Sequence, residues 1–156
     1  MDIKEVIQSQ YFASLAMLKQ AIVKCPSSVW DAPEDKDKAW FKVYHTLYYA
    51  HKYLQVNTKD FVPWKKRRKP DSEERITKQE ALEYLAFVEQ EVAERIPLTD
   101  LEADAGFLGN RFNKMELHFT NIRHIQQHTG ELYERLGSRA AIKLDWAEHR
   151  HNKVNK

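Results

Sequence analysis

The sequence predicts an all-α protein built as a four-helix bundle, and three observations support this fold class. Glycine and proline are scarce, with four and five copies among 156 residues, and every glycine follows residue 105. A β-rich chain needs turn residues roughly every 8–12 positions, which the first hundred residues cannot supply. Four segments repeat apolar residues at the spacing of a helix, with one stripe per segment. Such stripes are buried most simply against one another in a bundle, which leaves the winding of the helices open.

The first predicted helix covers about Asp2 to Lys24. Pro26 ends it, because proline cannot continue the hydrogen-bond ladder and disfavours helix in the residue before it. Residues 26–38 carry two prolines, two serines and four acidic residues, and they are predicted to form a loop. The apolar stripe of this helix comprises Ile3, Ile7, Tyr11, Leu15, Leu18 and Ile22.

The second predicted helix spans about Lys38 to Gln55, and residues 57–72 after it are irregular. This stretch contains five consecutive cations, Lys65 to Lys69, which could contact nucleic-acid phosphates. Acidic residues follow at once and the net charge is only +2. We therefore interpret the run as a solvated loop and expect no nucleic-acid partner. The stripe of this helix comprises Trp40, Val43, Tyr44, Leu47, His51 and Leu54.

The third predicted helix begins at Thr77, where the sequence Thr-Lys-Gln-Glu has the form of a capping box. The side chains of such a box satisfy the free amides of the first helical turn. Pro97 ends the helix, and a second long loop follows over residues 98–110. The stripe comprises Leu82, Leu85, Val88, Val92 and Ile96.

The fourth predicted helix runs from about Arg111 to Leu136, with Gly137 placed as its C-terminal cap. The polar tail from about residue 138, which includes His149 and His151, is predicted to be extended or partly ordered. Residues 1–156 are long enough for one core and are predicted to form a single domain. The stripe of the fourth helix comprises Ile122, Ile125, Leu132 and Leu136.

Cysteine content and hydropathy indicate the cellular compartment in which the protein is expected. Cys25 is the only cysteine, so no internal disulfide can form, which fits a reducing compartment. No stretch approaches the 18 or so consecutive apolar residues of a membrane span, and the first residues lack the pattern of a secretory signal. We therefore expect a cytoplasmic protein with no membrane partner.

The sharpest chemical pattern is the pair His124 and His128 in the fourth predicted helix. Residues four apart lie nearly above one another on a helix, so two imidazoles at this spacing can bind one metal ion. The residue after His124 is Ile125, so the glutamate of the HExxH metalloprotease arrangement is absent. On spacing alone, the simpler interpretation is a surface or core-edge pair of histidines.

A third metal ligand must come from another helix, because a catalytic site commonly has three protein ligands and leaves a position for water. The second predicted helix offers His51 near the centre of its apolar face and His45 at the margin. Ligands at the margins of two facing stripes would place the ion at a seam that water and substrate can reach, which favours His45. His51 and His118 can alternatively be core-edge histidines bonded to a tyrosine or a carbonyl, and His51 stays open as the third ligand.

Two segments carry a resemblance to a known family: VYHTLYYAHKYL at residues 43–54 and NIRHIQQHTGEL at residues 121–132. They resemble the DinB/YfiT-like superfamily of four-helix bundles, which carry one histidine in the second helix and an HxxxH pair in the last. The resemblance implies that His45, His124 and His128 are the ligands of one divalent metal ion. It also implies an up-down-down-up winding with long crossover loops. The second histidine of the first segment, His51, departs from the family pattern.

The resemblance also implies what the ion and the chain do. It points to a metal-dependent enzyme acting on a small molecule, such as a thiol-dependent S-transferase or a hydrolase, with a low-molecular-weight thiol as a candidate cosubstrate. No catalytic side chain is identified. Nickel, zinc, iron and manganese all accept nitrogen ligands, so the metal stays unassigned. We interpret Glu131 as a solvated charge rather than as a group that orients a ligand.

A homodimer is expected, mainly because the family commonly forms one. Aromatic residues such as Trp40, Trp64 and Trp146 could supply an apolar strip for the interface. The competing function class is a non-catalytic, stress-associated binding or interaction module built on the same bundle. Metal content separates the two classes, since only the first requires a bound ion.

Overall fold

The structure is a computed structural model that describes residues 2–65, 68–69, 74–107 and 112–147. The described residues contain no β-strand, only an isolated bridge between Asp104 and Asn113. Single 3₁₀ turns lie at Thr58–Asp60 and Ile96–Leu98. The prediction of an all-α bundle is confirmed. The α-helices are α1 (Ile3–Lys24), the short α2 (Ser27–Trp30), α3 (Ala39–Tyr53), α4 (Lys78–Arg95) and α5 (Lys114–Ala140).

The four long helices form a bundle in which α1 and α3 each pack against both α4 and α5. Helices α1 and α5 run parallel, since contacts advance along both together. Tyr11 in the first half of α1 meets His118 near the start of α5, and Met17 meets Tyr133 farther along both helices. Because the main contacts of α1 and α3 are with the other two helices, α1 and α3 lie diagonally opposite.

Helix α3 runs antiparallel to α5. Lys42, near the start of α3, contacts Glu131 in the second half of α5, and the carbonyl of Ala50 accepts a hydrogen bond from Asn121 in its first half. This direction brings the middle of α3, where His45 lies, against the middle of α5.

Helix α4 runs antiparallel to α1. Lys4 at the start of α1 donates to the carbonyl of Pro97 just beyond α4, and Lys78 at the start of α4 donates to the carbonyl of Val23. The helix directions are therefore up for α1, down for α3 and α4, and up for α5. The long connection between α3 and α4 must cross the bundle lengthwise, as the up-down-down-up winding requires.

The core consists mainly of the predicted stripes. In α1 only Ile3 departs, since 39% of its surface is exposed while the later stripe residues are fully buried. In α4, Ala81 and Tyr84 are buried in addition to most of the predicted stripe, whereas Leu82 is only partly buried. In α5, Ile122 is only partly buried, and the polar side chains of Asn121 and Thr129 join the buried face. All six predicted stripe positions of α3 are buried, namely Trp40, Val43, Tyr44, Leu47, His51 and Leu54.

The capping box at the start of α4 is confirmed. The hydroxyl of Thr77 accepts a hydrogen bond from the Glu80 amide at 3.1 Å, and the Glu80 carboxylate accepts one from the Thr77 amide at 2.9 Å. Two of the free amides of the first turn are therefore satisfied by side chains.

The predicted end of the fourth helix at Leu136 is wrong, because α5 continues through Gly137 to Ala140. The cap is Ala141, which has a left-handed backbone conformation with φ 53°. The amide of Ala141 donates to the carbonyl of Gly137, as in the αL motif of a helix C-terminus, and the amide of Ile142 donates to the carbonyl of Leu136. Ile142 then packs against the core, and this apolar contact fixes the helix end four residues later than predicted.

The loop predicted at residues 26–38 contains a short helix, and part of the tail beyond α5 is ordered. Residues 26–38 include the four-residue helix α2, whose Trp30 is buried and donates to the carbonyl of Ile76 at 3.0 Å. Residues 141–147 lie along α1, and the amide of Asp145 donates to Gln20 at 3.0 Å. Several predictions lie outside the described residues: those on Lys66, Arg67, Arg111, His149 and His151.

The described cations of the basic run lie against α4. Lys65 pairs with Glu83 at 2.8 Å and Arg68 pairs with Glu80 at 3.5 Å, so these two cations face the acidic surface of this helix.

Among the described residues, no helix is long and apolar enough to cross a bilayer.

Candidate metal centre

Three histidines from two helices meet at the α3–α5 seam: His45 from α3, and His124 and His128 from α5. One candidate ligand atom from each lies within 4.8 Å of the other two. The Nε2 atoms of His45 and His124 are 3.2 Å apart, and the centroids of the three rings are 4.6–5.2 Å apart. All three side chains are half-buried, which agrees with the predicted position at the margin of two stripes.

The spacing along each helix explains why these rings converge. His124 and His128 are one turn apart on α5, so both project toward the same side. The position of His45 follows from the antiparallel pairing of α3 with α5, which places this residue opposite both His124 and His128. The approach of the three rings is therefore a product of helix register.

A hydrogen-bonded chain orients His128. Its Nδ1 lies 3.0 Å from a carboxylate oxygen of Glu131, one turn later on α5, and that carboxylate also pairs with Lys42 of α3. The contact leaves Nε2 of His128 as the ligand atom, an arrangement typical of metal-binding histidines. The interpretation of Glu131 as a merely solvated charge is therefore wrong.

The charge state of Glu131 follows from these contacts. Burial by itself raises the pKa of its carboxyl group, but the hydrogen bonds from Lys42 and His128 outweigh burial and lower the pKa to about 2. The group is therefore an anion across the physiological range. An anionic acceptor favours a proton on Nδ1 of His128, which keeps the Nε2 lone pair available.

The other two histidines are held neutral mainly by burial. Burial and the nearby His128 and His45 lower the pKa of His124 to about 4, and burial, His128 and Lys42 lower the pKa of His45. Neutral imidazole is the form that binds a metal ion. Nδ1 of His124 is buried and has no hydrogen-bond partner among the residues that the structure describes.

Two small cavities flank His45. One of about 150 Å³ also touches His128 and Lys42, and one of about 80 Å³ touches Tyr49 and Arg68. The ring of Tyr49 lies 4.8 Å from that of His45 and 5.5 Å from that of His124, measured between centroids. The histidine cluster is therefore next to open space lined by aromatic rings and cations.

The remaining described histidines lie elsewhere in the core. Nδ1 of His51 lies 3.2 Å from the hydroxyl of Tyr84 on α4, and Nδ1 of His118 lies 3.0 Å from the hydroxyl of Tyr11 on α1. Both match the expected alternative of a core-edge histidine bonded to a tyrosine. His51 faces α4, so the structure groups His45, and not His51, with the pair on α5.

Sequence reasoning missed Lys42 as a neighbour of the cluster and misjudged Glu131. A signal was available for each, because Lys42 lies three residues from His45 and Glu131 lies three residues from His128. Residues at these spacings share a helix face. The pairing of Lys42 with Glu131 depends on how α3 and α5 pack, which helical spacing does not give.

In comparisons with known proteins, no family model, no curated protein and no solved structure matches the chain. The resemblance to the DinB/YfiT-like superfamily therefore rests on residues 43–54 and 121–132 alone, and no match to a family model supports it. The structure itself shows an all-α bundle and three clustered histidines that could hold a metal ion of unassigned identity.

Proposed function

We propose that the chain is a DinB/YfiT-like protein that binds one divalent metal ion through His45, His124 and His128. The single observation that carries the proposal is the convergence of three half-buried imidazoles from two helices, with one ligand atom of each within 4.8 Å of the others. A structural role for three such rings does not require that their nitrogens face one another.

The spacing of the ring nitrogens suits a metal ion. Zinc–nitrogen bonds of about 2.0–2.1 Å at tetrahedral angles place two ligand nitrogens about 3.3 Å apart. The Nε2 atoms of His45 and His124 are already 3.2 Å apart. The ligand atom of His128 lies within 4.8 Å of the other two, so it must move inward to complete such a set. Three ligands leave a position for water or substrate.

We propose that the chain catalyses either the transfer of a group to a small molecule or the hydrolysis of a small molecule. A low-molecular-weight thiol is a candidate cosubstrate of the transfer. A divalent ion on three neutral imidazoles supplies Lewis acidity, which lowers the pKa of a bound water or thiol. The chain contributes the orientation of His128 by Glu131 and Lys42. It also contributes the aromatic and cationic walls beside His45, which include Phe41 and Arg68.

Metal content tests the proposal. We expect elemental analysis of protein purified without an affinity tag to show about one divalent ion per chain. Chelator-treated protein should take up nickel or zinc at the same ratio. Protein that is metal-free as purified, is unaffected by chelators and takes up neither metal would overturn the metal site.

Turnover separates the enzyme from the non-catalytic alternative. Metal-loaded protein should accelerate the reaction of a small thiol with an electrophilic chromogenic acceptor, or the hydrolysis of a chromogenic ester, and His124→Ala should abolish the effect. One bound ion together with rates equal to buffer for both reactions would favour the stress-associated binding module.

We also propose that the chain forms a homodimer, which the family resemblance supports. Of the tryptophans considered for an interface, Trp40 is buried in the core, whereas 72% of the surface of Trp146 is exposed. Sedimentation at micromolar concentration should show a species of twice the 18.5 kDa chain mass. A species of the chain mass alone would contradict the dimer.

We also propose a cytoplasmic location, which agrees with a single buried cysteine, Cys25.

A further inference from the structure

A second cavity lies away from the histidine cluster, where α3 and α4 end and α5 begins. Its volume is about 340 Å³, within the range of roughly 300–1,000 Å³ typical of small-molecule sites. It shares no lining residue with the cavities beside His45. His118 in its wall precedes His124 by six residues, about 9 Å along the axis of α5. The lining residues are Leu54, Gln55, Val56, Arg95, Leu98, Thr99, Asp100, Ala103, Lys114 and His118.

The protonation of His118 can be followed through a chain of buried hydrogen bonds. Nδ2 of Asn121 donates to the backbone carbonyl of Ala50 at 3.1 Å and to the hydroxyl oxygen of Tyr11 at 3.0 Å. A carbonyl oxygen can only accept, so the orientation of the Asn121 amide is fixed. The oxygen of Tyr11 therefore accepts from Asn121, and its own proton is free to be donated elsewhere.

The Tyr11 proton goes to His118. The Tyr11 hydroxyl lies 3.0 Å from Nδ1 of His118, and burial keeps the phenol protonated because it raises the pKa of Tyr11. With Nδ1 as the acceptor, the neutral ring carries its hydrogen on Nε2. Within the described part of the chain, this Nε2 is buried and has no hydrogen-bond partner. The wall of the cavity thus holds a donor that lacks an acceptor.

The charge of the wall favours an anionic acceptor. The ammonium group of Lys114 is buried and donates to the backbone carbonyls of Gln55, Val56 and Ala105. These three neutral partners use all three of its hydrogens, so no carboxylate is bonded to Lys114, although Asp104 attracts its charge from nearby. Arg95 is neutralised by its ion pair with Glu91. Asp100 also lines the cavity, but it is exposed, so solvent screens its charge more than that of the buried Lys114. The rest of the wall is largely apolar, and Leu98 at its edge is 85% exposed.

We propose that this cavity binds a small amphipathic monocarboxylate. Because Nε2 of His118 has almost no accessible surface in this structure, the side chains around it must move slightly to admit the carboxylate. The carboxylate then accepts the Nε2 hydrogen in the field of Lys114, and the apolar body lies against Leu54, Val56 and Leu98. The site is independent of the metal cluster, so a ligand can bind here whether or not an ion is bound at His45, His124 and His128.

Octanoate is a suitable probe, with octanol and octylamine as matched probes of the same chain length. We expect calorimetric titration of the purified protein to show saturable binding of octanoate. Octanol should bind about tenfold more weakly or worse, the loss expected when a charge-assisted hydrogen bond is absent. Octylamine should not bind. Equal binding of octanoate and octanol, or no octanoate binding at millimolar concentration by folded protein, would overturn the proposal.

Substitutions locate the site. His118→Leu should weaken octanoate binding about tenfold or more. His51→Leu is its matched control, because it also removes a buried histidine bonded to a tyrosine hydroxyl but does not line the cavity, and it should bind octanoate normally. Ala103→Leu fills part of the cavity without removing a side-chain hydrogen bond and should abolish binding, so it decides the matter if His118→Leu does not fold. Normal octanoate binding by Ala103→Leu would place the ligand elsewhere.

Discussion

Nε2 of His45 and Nε2 of His124 lie 3.2 Å apart, although 79 residues separate the two histidines along the chain. The contact joins α3 to α5 at the middle of their antiparallel pairing, and His128 extends it by one turn of α5. An ion bound between these rings would link two helices that are distant in sequence.

Removing any one of the three histidines should weaken metal binding strongly. We expect His45→Ala, His124→Ala and His128→Ala each to lower the affinity for zinc or nickel by roughly 100-fold or more, because two remaining imidazoles form an incomplete site. Competition with a chromophoric chelator measures the change. His51→Ala is the control and should bind metal normally. If His51→Ala lost the metal and His45→Ala kept it, the third ligand would be His51.

Glu131 should act on the ion through His128. We expect Glu131→Gln to lower metal affinity by about 10- to 100-fold, since the amide is a weaker acceptor for the Nδ1 hydrogen of His128 and cannot pair with the charge of Lys42. The same chelator competition applies. Glu134→Gln, an exposed carboxylate one turn farther along α5, should leave the affinity unchanged. Equal affinities for the two variants would show that Glu131 does not orient the ligand.

Buried histidines should make the metal-free protein less stable as the pH falls. Burial lowers the pKa of both His51 and His118 to about 4, whereas an unfolded histidine titrates near 6.5. Between these values the unfolded chain binds more protons, so the free energy of unfolding falls as the pH drops through this window. The loss between about pH 7 and pH 5 should be about 2 kcal/mol per histidine.

Urea unfolding with a chelator present measures this loss. His51→Leu should lose about 2 kcal/mol less than the wild type between the two pH values, because it lacks one of the titrating groups. An identical loss in the variant and the wild type would mean that His51 does not contribute to the pH dependence.

At the end of α5, a glycine lies where an alanine would be more stable, and an alanine lies where a glycine would be more stable. Gly137 lies inside the helix, and a Cβ there would meet only the Ile142 carbonyl oxygen at 4.0 Å. Gly137→Ala should therefore stabilise the protein by up to about 1 kcal/mol. Ala141 has φ 53°, so Ala141→Gly should stabilise it by about 0.5–1 kcal/mol. Thermal unfolding checks both. If Gly137→Ala destabilised the protein, the result would favour the helix end at Leu136 that the sequence predicts.

Local patterns predicted the helices and most of the core, because periodicity and caps act over a few residues. The stripe of α3 and the capping box at Thr77 are both confirmed. The preference for His45 over His51 also came from local geometry, since a helical wheel separates the margin of a stripe from its centre. The structure groups His45 with the pair on α5.

The features that the sequence did not predict depend on contacts between distant segments. The pairing of Lys42 with Glu131 requires the register of α3 against α5. The late end of α5 depends on Ile142 packing against the core, which outweighs the local signal of Gly137. The short helix α2 is stabilised by Trp30, which is anchored to a carbonyl from the far end of the crossover. No single segment contains that information.

The buried ammonium of Lys114 has a consequence for the response of the bundle to salt. Its three partners are backbone carbonyls at the end of α3 and in the loop before α5. Mobile ions screen charges that face solvent, over a Debye length of about 8 Å at physiological ionic strength, but they screen buried charges much less. The exposed pair of Lys65 and Glu83 should therefore weaken as salt is added. The junction at Lys114 should persist, so that concentrated salt loosens the surface of the crossover while its beginning, at residues 55–56, stays attached to α5.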